Sequence, residues 1–289
     1  SMVGHAAQRT SLTDRVGVSE GMIAWSFNLL DSAEKEPSIG ADGTIYVGTN
    51  GGHIRAINPD GSERWSYDGG GAEDLSGLVV APDAVIAVFQ SGYVRKLSLA
   101  DGTVSSEALI DGDDPLIIAA SLLASTGNIV VPFSRGSGSE KGSVVVLDNA
   151  LNVVWRYDIP FGASSGQPIR LAEGLDGSIL FKVQDYLYSL NGTTGLKNWH
   201  KILSSIEWSA APVISATGVV LIPTGSGVYA LDPSDGSTLW VADLAGANSK
   251  ISLVPDSLGD GTPGSGGMVL SVTNELVWLD ASGEVLWNI

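Results

Sequence analysis

Hydrophobic residues in this chain fall in short runs, and the stretch Gly218 to Trp240, GVVLIPTGSGVYALDPSDGSTLW, shows the unit from which the rest is built. Two apolar runs, Val219 to Ile222 and Val228 to Leu231, flank a Gly-Ser-Gly turn, and an Asp-Gly turn with a Trp-bearing third run follows. The pattern predicts strand, hairpin, strand, turn, strand. Degenerate copies recur along almost the whole sequence. A Leu or Ile followed by Asp, Asn or Ser ends the second run at Ile57-Asn58, Leu97-Ser98, Leu147-Asp148, Leu190-Asn191, Leu231-Asp232 and Leu279-Asp280, spaced 40, 50, 43, 41 and 48 residues apart.

That period predicts an all-β chain, a β-propeller of about six four-stranded blades, or of seven or eight if the sequence is truncated. A second column lies eight or nine residues further on, with Trp65, Trp155, Trp199, Trp240 and Trp287 and, as the one exception, Ser106. Between the columns sits a residue able to take a positive φ: Gly61, Gly102, Gly195, Gly236 and Gly283, replaced in the third copy by Asn149-Ala150-Leu151-Asn152. A large aromatic at one place in nearly every copy is a packing device, each ring wedging between one sheet and the next and burying about 150–250 Å². First strands are expected at Pro37 to Ala41, Leu75 to Ala81, Ile117 to Ala124, Pro168 to Ala172, Ala211 to Ala216 and Ile251 to Pro255. Upstream, Ala24 to Leu29 reads as another Trp-bearing outer strand that either completes the last blade or competes with the strand of Trp287. Residues 1–21 read as an N-terminal arm or tag remnant, and residues 22–289 as the propeller domain.

The blade pattern in Val228-Tyr229-Ala230-Leu231-Asp232 with Asp235-Gly236-Ser237-Thr238-Leu239-Trp240, and in Gly43 to Gly48 with Ile57-Asn58 and Trp65, resembles the PQQ-type repeat. That family includes quinoprotein dehydrogenases and cofactor-free propellers such as the outer-membrane assembly lipoproteins of the BamB type. The resemblance covers roughly residue 22 onward, and its architecture is WD40-like. It implies a propeller without implying an activity. Quinoprotein dehydrogenases clasp their quinone beside two adjacent cysteines, with a calcium ion held by Glu, Asn and Asp. This chain has no cysteine and no residue set matching that clasp, so neither the cofactor nor the dehydrogenase activity is expected.

Composition narrows the partners. Glycine at 37 positions with 16% charged residues suits short strands joined by tight turns, and a net charge of −17 argues against a grip on nucleic acid or an anionic membrane. The longest apolar stretch, Leu116 to Ala124, is too short to span a bilayer, which needs roughly 20 residues. The absence of cysteine excludes disulfides and cysteine-type zinc sites but leaves the compartment open.

Candidate chemistry is sparse. Gly162-Ala163-Ser164-Ser165-Gly166 matches the G-x-S-x-G string, but it links two blades, whereas a nucleophile elbow lies between a strand and a helix. His5, His53 and His200 have no metal-ligand spacing. Arg135 to Gly142 and Ser257 to Gly267 read as lengthened hairpins, places where binding is commonly built. Asp256 to Gly264 resembles the calcium loop of FG-GAP propellers, with Asp256 and Asp260 as ligands, but Leu258 and Gly264 replace two others, leaving a weak calcium site at best.

The residues just ahead of the first strands, Glu36, Asp74, Asp114, Gln167, Trp208 and Lys250, are expected to ring one mouth of a central channel. Three carboxylates and an aromatic platform suit a basic peptide, a cation or a sugar face. The sequence therefore points to a non-catalytic scaffold binding a protein or glycan partner, in the periplasm, at the cell surface or outside the cell. It reads as a monomer or as one domain of a larger protein. The alternative is a lyase-type or oxidoreductase-type enzyme working at the channel mouth.

Overall fold

The computed structural model describes residues 23–33, 37–70, 74–111, 116–118, 121–135, 142–160, 169–203, 211–244, 251–254, 267–272 and 275–289. Every regular element among them is a strand, and none is a helix long and apolar enough to cross a membrane. The strands form six antiparallel meanders in chain order. Sheet 1 is β1 (Ser38–Ile39), β2 (Ile45–Gly48), β3 (Ile54–Ile57) and β4 (Glu63–Tyr67); sheet 2 is β5 (Leu75–Val80), β6 (Ala84–Phe89), β7 (Tyr93–Ser98) and β8 (Val104–Leu109). Sheet 3 is β10 (Leu122–Leu123), β11 (Ile129–Arg135), β12 (Ser143–Leu147) and β13 (Val153–Asp158), with β9 (Leu116–Ile118) also paired to the end of β11. Sheet 4 is β14 (Arg170–Glu173), β15 (Ile179–Val183), β16 (Tyr186–Leu190) and β17 (Lys197–Ile202). Sheet 5 is β18 (Val213–Ile214), β19 (Val220–Thr224), β20 (Gly227–Leu231) and β21 (Thr238–Asp243); sheet 6 is β22 (Ser252–Val254), β23 (Gly267–Val272), β24 (Glu275–Leu279) and β25 (Val285–Asn288).

Sheets 1 to 3 belong to one compact unit and sheets 4 to 6 to a second, which also takes in the turn residues Ala124–Thr126. Three second strands, β6 in the first unit and β15 and β19 in the second, are mainly apolar and buried from end to end, because both of their faces are covered. In the first unit Tyr46, Ile54, Trp65, Leu75, Val85 and Phe89 form one core, and Val79, Ile86, Val131, Phe133 and Leu147 another. In the second, Leu180, Leu187, Trp199, Val220 and Ile222 pack together, as do Leu221, Val228, Met268, Leu270 and Val277.

Fourth strands follow a different rule. In β4, β13 and β17 the Trp is buried while its two predecessors are exposed, so a single side chain anchors each outer strand. All six sheets carry a register irregularity between their third and fourth strands, directly ahead of the Leu or Ile column: at Ala56/Ile57, Lys96/Leu97, Val146/Leu147, Ser189/Leu190, Ala230/Leu231 and Trp278/Leu279. The extra residue brings the Trp opposite a residue of the third strand while the preceding turn closes on its glycine.

That glycine carries the indole of the preceding segment. A Cβ on Gly102, at φ 73°, would come within 2.5 Å of the Trp65 ring, and one on Gly236, also at φ 73°, within 2.6 Å of Trp199. Gly283 stands likewise under Trp240 and Gly61 under Trp25. The Nε1 groups of Trp25, Trp65 and Trp199 each donate to a turn carbonyl 34 residues on, at Pro59, Leu99 and Pro233, at 2.9, 3.0 and 2.8 Å. In the third sheet, which follows the Ser106 copy, the turn holds Leu151 instead, at φ 65° and buried in the core of sheets 2 and 3.

The segment Ala24 to Leu29 differs from its expectation. Trp25 docks like the others, but residues 23–30 are not a strand, since among the described residues no strand pairs with them in a ladder. The segment instead straps sheet 1. Trp25 holds it at the Gly61 turn, and at its far end Asp31 accepts the Gly51 N–H at 3.0 Å while the Ser32 carbonyl accepts the Asn50 N–H at 2.9 Å.

Candidate functional site

Of the residues singled out ahead of the first strands, Asp74 is described. It is exposed, directly precedes β5, and its carbonyl accepts the Gln90 N–H at 2.9 Å, extending the β5–β6 pairing. Glu36, Asp114, Gln167, Trp208 and Lys250 lie outside the described residues, as do Asp256 and Asp260 of the calcium-like loop and Gly162 to Gly166. Two buried hydroxyls escaped the sequence reading. Ser76 is the extra residue of a register irregularity between Leu75 and Gly77, and Ser121 directly precedes β10. Both are buried, and neither side-chain oxygen has a hydrogen-bond partner among the described residues. A serine within a valine-rich or leucine-rich first strand was the available signal. The start of β5 thus combines an exposed carboxylate, an acceptor open to a cation or a peptide N–H, with a buried hydroxyl.

The cations of the first unit are largely engaged by carboxylates. Arg64 donates to Asp42 at 2.6 Å, Arg55 to Glu63 at 3.3 Å and Lys96 to Asp83 at 2.9 Å, while Arg95 pairs with Glu107. Arg156 reaches both Asp111 at 3.1 Å and Asp158 at 2.8 Å. Arg95 also lies 4.6 Å from the ring centre of Phe89, and Arg156 5.1 Å from that of Phe133. With 32 acidic against 15 basic residues, neutralising those cations leaves the remaining carboxylates to set the outward field.

Aspartates at the turns keep their charge well into acid. The Thr44 N–H, then the Arg64 guanidinium, hold Asp42 down to about 2. Asp60 is lowered by the Ser62 hydroxyl and N–H, Asp101 by the same groups of Thr103, and Asp148 by the Asn152 side chain and N–H.

His5 lies outside the described residues, and the two described histidines make ordinary contacts. His53 Nδ1 lies 3.2 Å from Asp68, and His200 stacks on Tyr188 at 5.6 Å, continuing a ladder in which Tyr188 stacks on Phe181 at 4.9 Å. The sequence has no cysteine, and among the described residues no three His, Asp or Glu side chains converge.

The sequence matches the family described as outer membrane protein assembly factor BamB over residues 10–115 and 224–289, together more than half of the chain. No curated protein matches it. Among solved structures it is similar to BamB from Moraxella catarrhalis, with a TM-score of 0.69 and 18% identity over 93% of this chain and 80% of that one. It is also similar to the quinohemoprotein alcohol dehydrogenase of Comamonas testosteroni, with a TM-score of 0.72 and 14% identity over 100% of this chain and 66% of that one. A quinohemoprotein alcohol dehydrogenase from Pseudomonas putida gives 0.65 and 13%, over 96% of this chain and 57% of the enzyme. The chain thus spans less than two thirds of the length of either dehydrogenase. These likenesses show the fold: the six meanders are the blades of an all-β propeller of the PQQ-type repeat, as the column spacing predicted.

Proposed function

The chain belongs to the family of the outer membrane protein assembly factor BamB, and on that premise we propose that it is a protein-binding propeller of the cell envelope that acts by contact rather than by catalysis. The observation that carries this reading is the family match at both ends of the chain. Charge supports it and sets the partner's chemistry. A chain with 32 acidic against 15 basic residues, several of its aspartates held as carboxylates by turn hydrogen bonds, selects a protein with a cationic face and draws it in electrostatically. The residues ahead of the first strands, Glu36, Asp74, Asp114, Gln167, Trp208 and Lys250, remain the proposed contact set, with a glycan as the alternative occupant of the Trp208 platform.

The likeness to the two alcohol dehydrogenases favours one other reading, an enzyme at the same mouth. Calorimetry separates the two. The propeller should bind a cationic peptide with an affinity that falls as salt rises, and an Asp74→Asn, Asp114→Asn, Trp208→Ala variant should bind it more weakly. Tight binding of the quinone with calcium, accompanied by dye-linked alcohol oxidation, would overturn the proposal.

A further inference from the structure

One row of side chains across sheet 4 carries three cations and no acid. Arg170 stands opposite Lys182, Lys182 opposite Leu187, and Leu187 opposite Lys201. Side chains paired in this way share one face of a sheet, with Cβ atoms about 4.5–5.5 Å apart. Here that face is turned to sheet 5. Leu180 and Leu187 pack with Ile214, Val220 and Ile222, and Lys201 Nζ donates to the Gly236 carbonyl at 2.9 Å and to the Thr238 hydroxyl at 2.7 Å. The equivalent row of other sheets, three residues beyond the partner of the Leu or Ile column, is uncharged, with Val88, Val94 and Ala108 in sheet 2 and Pro223, Val228 and Ala242 in sheet 5.

Lys182 is 1% exposed and held by an interaction of its own, whereas Arg170 is half-buried and reachable from solvent. The Arg170 Nε is enclosed and has no hydrogen-bond partner among the described residues. Acids outnumber bases in this chain by 32 to 15, and Arg55, Arg64, Arg95 and Arg156 each pair with a carboxylate. Among the described residues Arg170 has no such partner. Glu173, on the same strand, is three residues on and so on the opposite face, where it accepts from Ser125. Like charges directly opposite each other destabilise a sheet, and a guanidinium nitrogen withdrawn from water without an acceptor adds to that cost. An anion laid on Arg170 relieves both.

We infer that Arg170, with Lys182 beside it and Lys201 further along the row, forms an anion site on sheet 4 that takes a carboxylate from outside the chain. The guanidinium fork matches a carboxylate in two parallel N–H···O bonds, with the Nε–H as one donor. The buried Lys182 adds an attraction that salt screens little. A singly charged carboxylate suits the site better than a phosphate dianion, which the net charge of −17 repels more strongly. That carboxylate belongs either to a small acid or to a peptide C-terminus. The site stands independently of the contact set proposed above.

Nitrogen-15 NMR reads the Arg170 Nε–H directly, the signal being assigned by its loss in Arg170→Lys. Titration with succinate, or with a short uncharged peptide bearing a free C-terminus, should move that signal saturably while those of the other arginines stay in place. The tighter of the two ligands names the source, and the amidated peptide should leave the signal unmoved. Lys182→Met should weaken binding by about tenfold. Arg170→Gln, at a half-buried position that tolerates the change, should abolish the calorimetric heat of binding and decides the matter if Lys182→Met does not fold. The inference is overturned by the absence of a saturable shift, by equal shifts at all arginines, or by phosphate binding more tightly than either carboxylate. An affinity unchanged in Arg170→Gln or in folded Lys182→Met overturns it equally.

Discussion

The indole of Trp65 lies on Gly102, close enough that any Cβ there would sit within 2.5 Å of the ring, while its Nε1–H reaches the Leu99 carbonyl at 3.0 Å. One glycine thus serves the turn and the neighbouring sheet together. Trp65→Ala should cost about 3–5 kcal/mol, as for other buried aromatic truncations. Gly102→Val should cost about 2–4 kcal/mol, from the left-handed backbone and the collision combined. Urea midpoints check both, and a neutral Gly102→Val would show that the ring does not depend on the glycine.

Ser106 and Leu151 are the two exceptions to the columns, and they occur together. Where the second sheet lacks its Trp, the following turn lacks its glycine, and the Leu151 side chain is buried instead. Ser106→Trp alone should destabilise by about 1–3 kcal/mol through overpacking. Leu151→Gly alone should destabilise through lost packing, partly offset by relief of the φ 65° backbone. The double variant should recover about 1–3 kcal/mol relative to the sum of the singles. Additive losses in a double-mutant cycle would mean that the two exceptions are independent.

Asp42 illustrates the acid limb. Its folded pKa, held to about 2 by Thr44 and Arg64, lies below the unfolded value near 4, so its stabilisation is complete above about pH 4. It is lost as pH falls from about 4 through about 2, when the unfolded chain binds the proton first. Asp42→Asn should therefore lower stability at neutral pH and flatten the decline across that window. Denaturation midpoints at steps of pH measure this, and a decline as steep as in the unaltered chain would contradict it.

Within the second unit, Glu173 is a carboxylate 1% exposed that accepts the Ser125 N–H at 2.8 Å and hydroxyl at 2.7 Å. Ser125→Ala should cost about 1–3 kcal/mol, the range for leaving a buried acceptor without its partner. In a Glu173→Gln background the same substitution should cost less, since an amide oxygen is a weaker acceptor. Equal costs in the two backgrounds would indicate that the hydroxyl bond contributes little.

A single sequence determined the repeat, the strand order and the docking columns. Leu or Ile at the end of the third strand and Trp on the fourth recur because each packs against the same backbone geometry in every copy, so the spacing itself encodes the blade. The irregularity ahead of Leu97 or Leu231 left no such mark, since it arises from how two strands pair and requires no particular residue. Only the tertiary structure decided which tryptophans dock. Trp25 and Trp287 sit in similar local sequence, yet Trp25 has Gly61 beneath it without any strand of its own, whereas Trp287 has a strand and lies open. The pattern along a chain specifies what a side chain is able to bury. Whether it is buried depends on what another segment brings against it, and that is a property of packing between segments, not of either one alone.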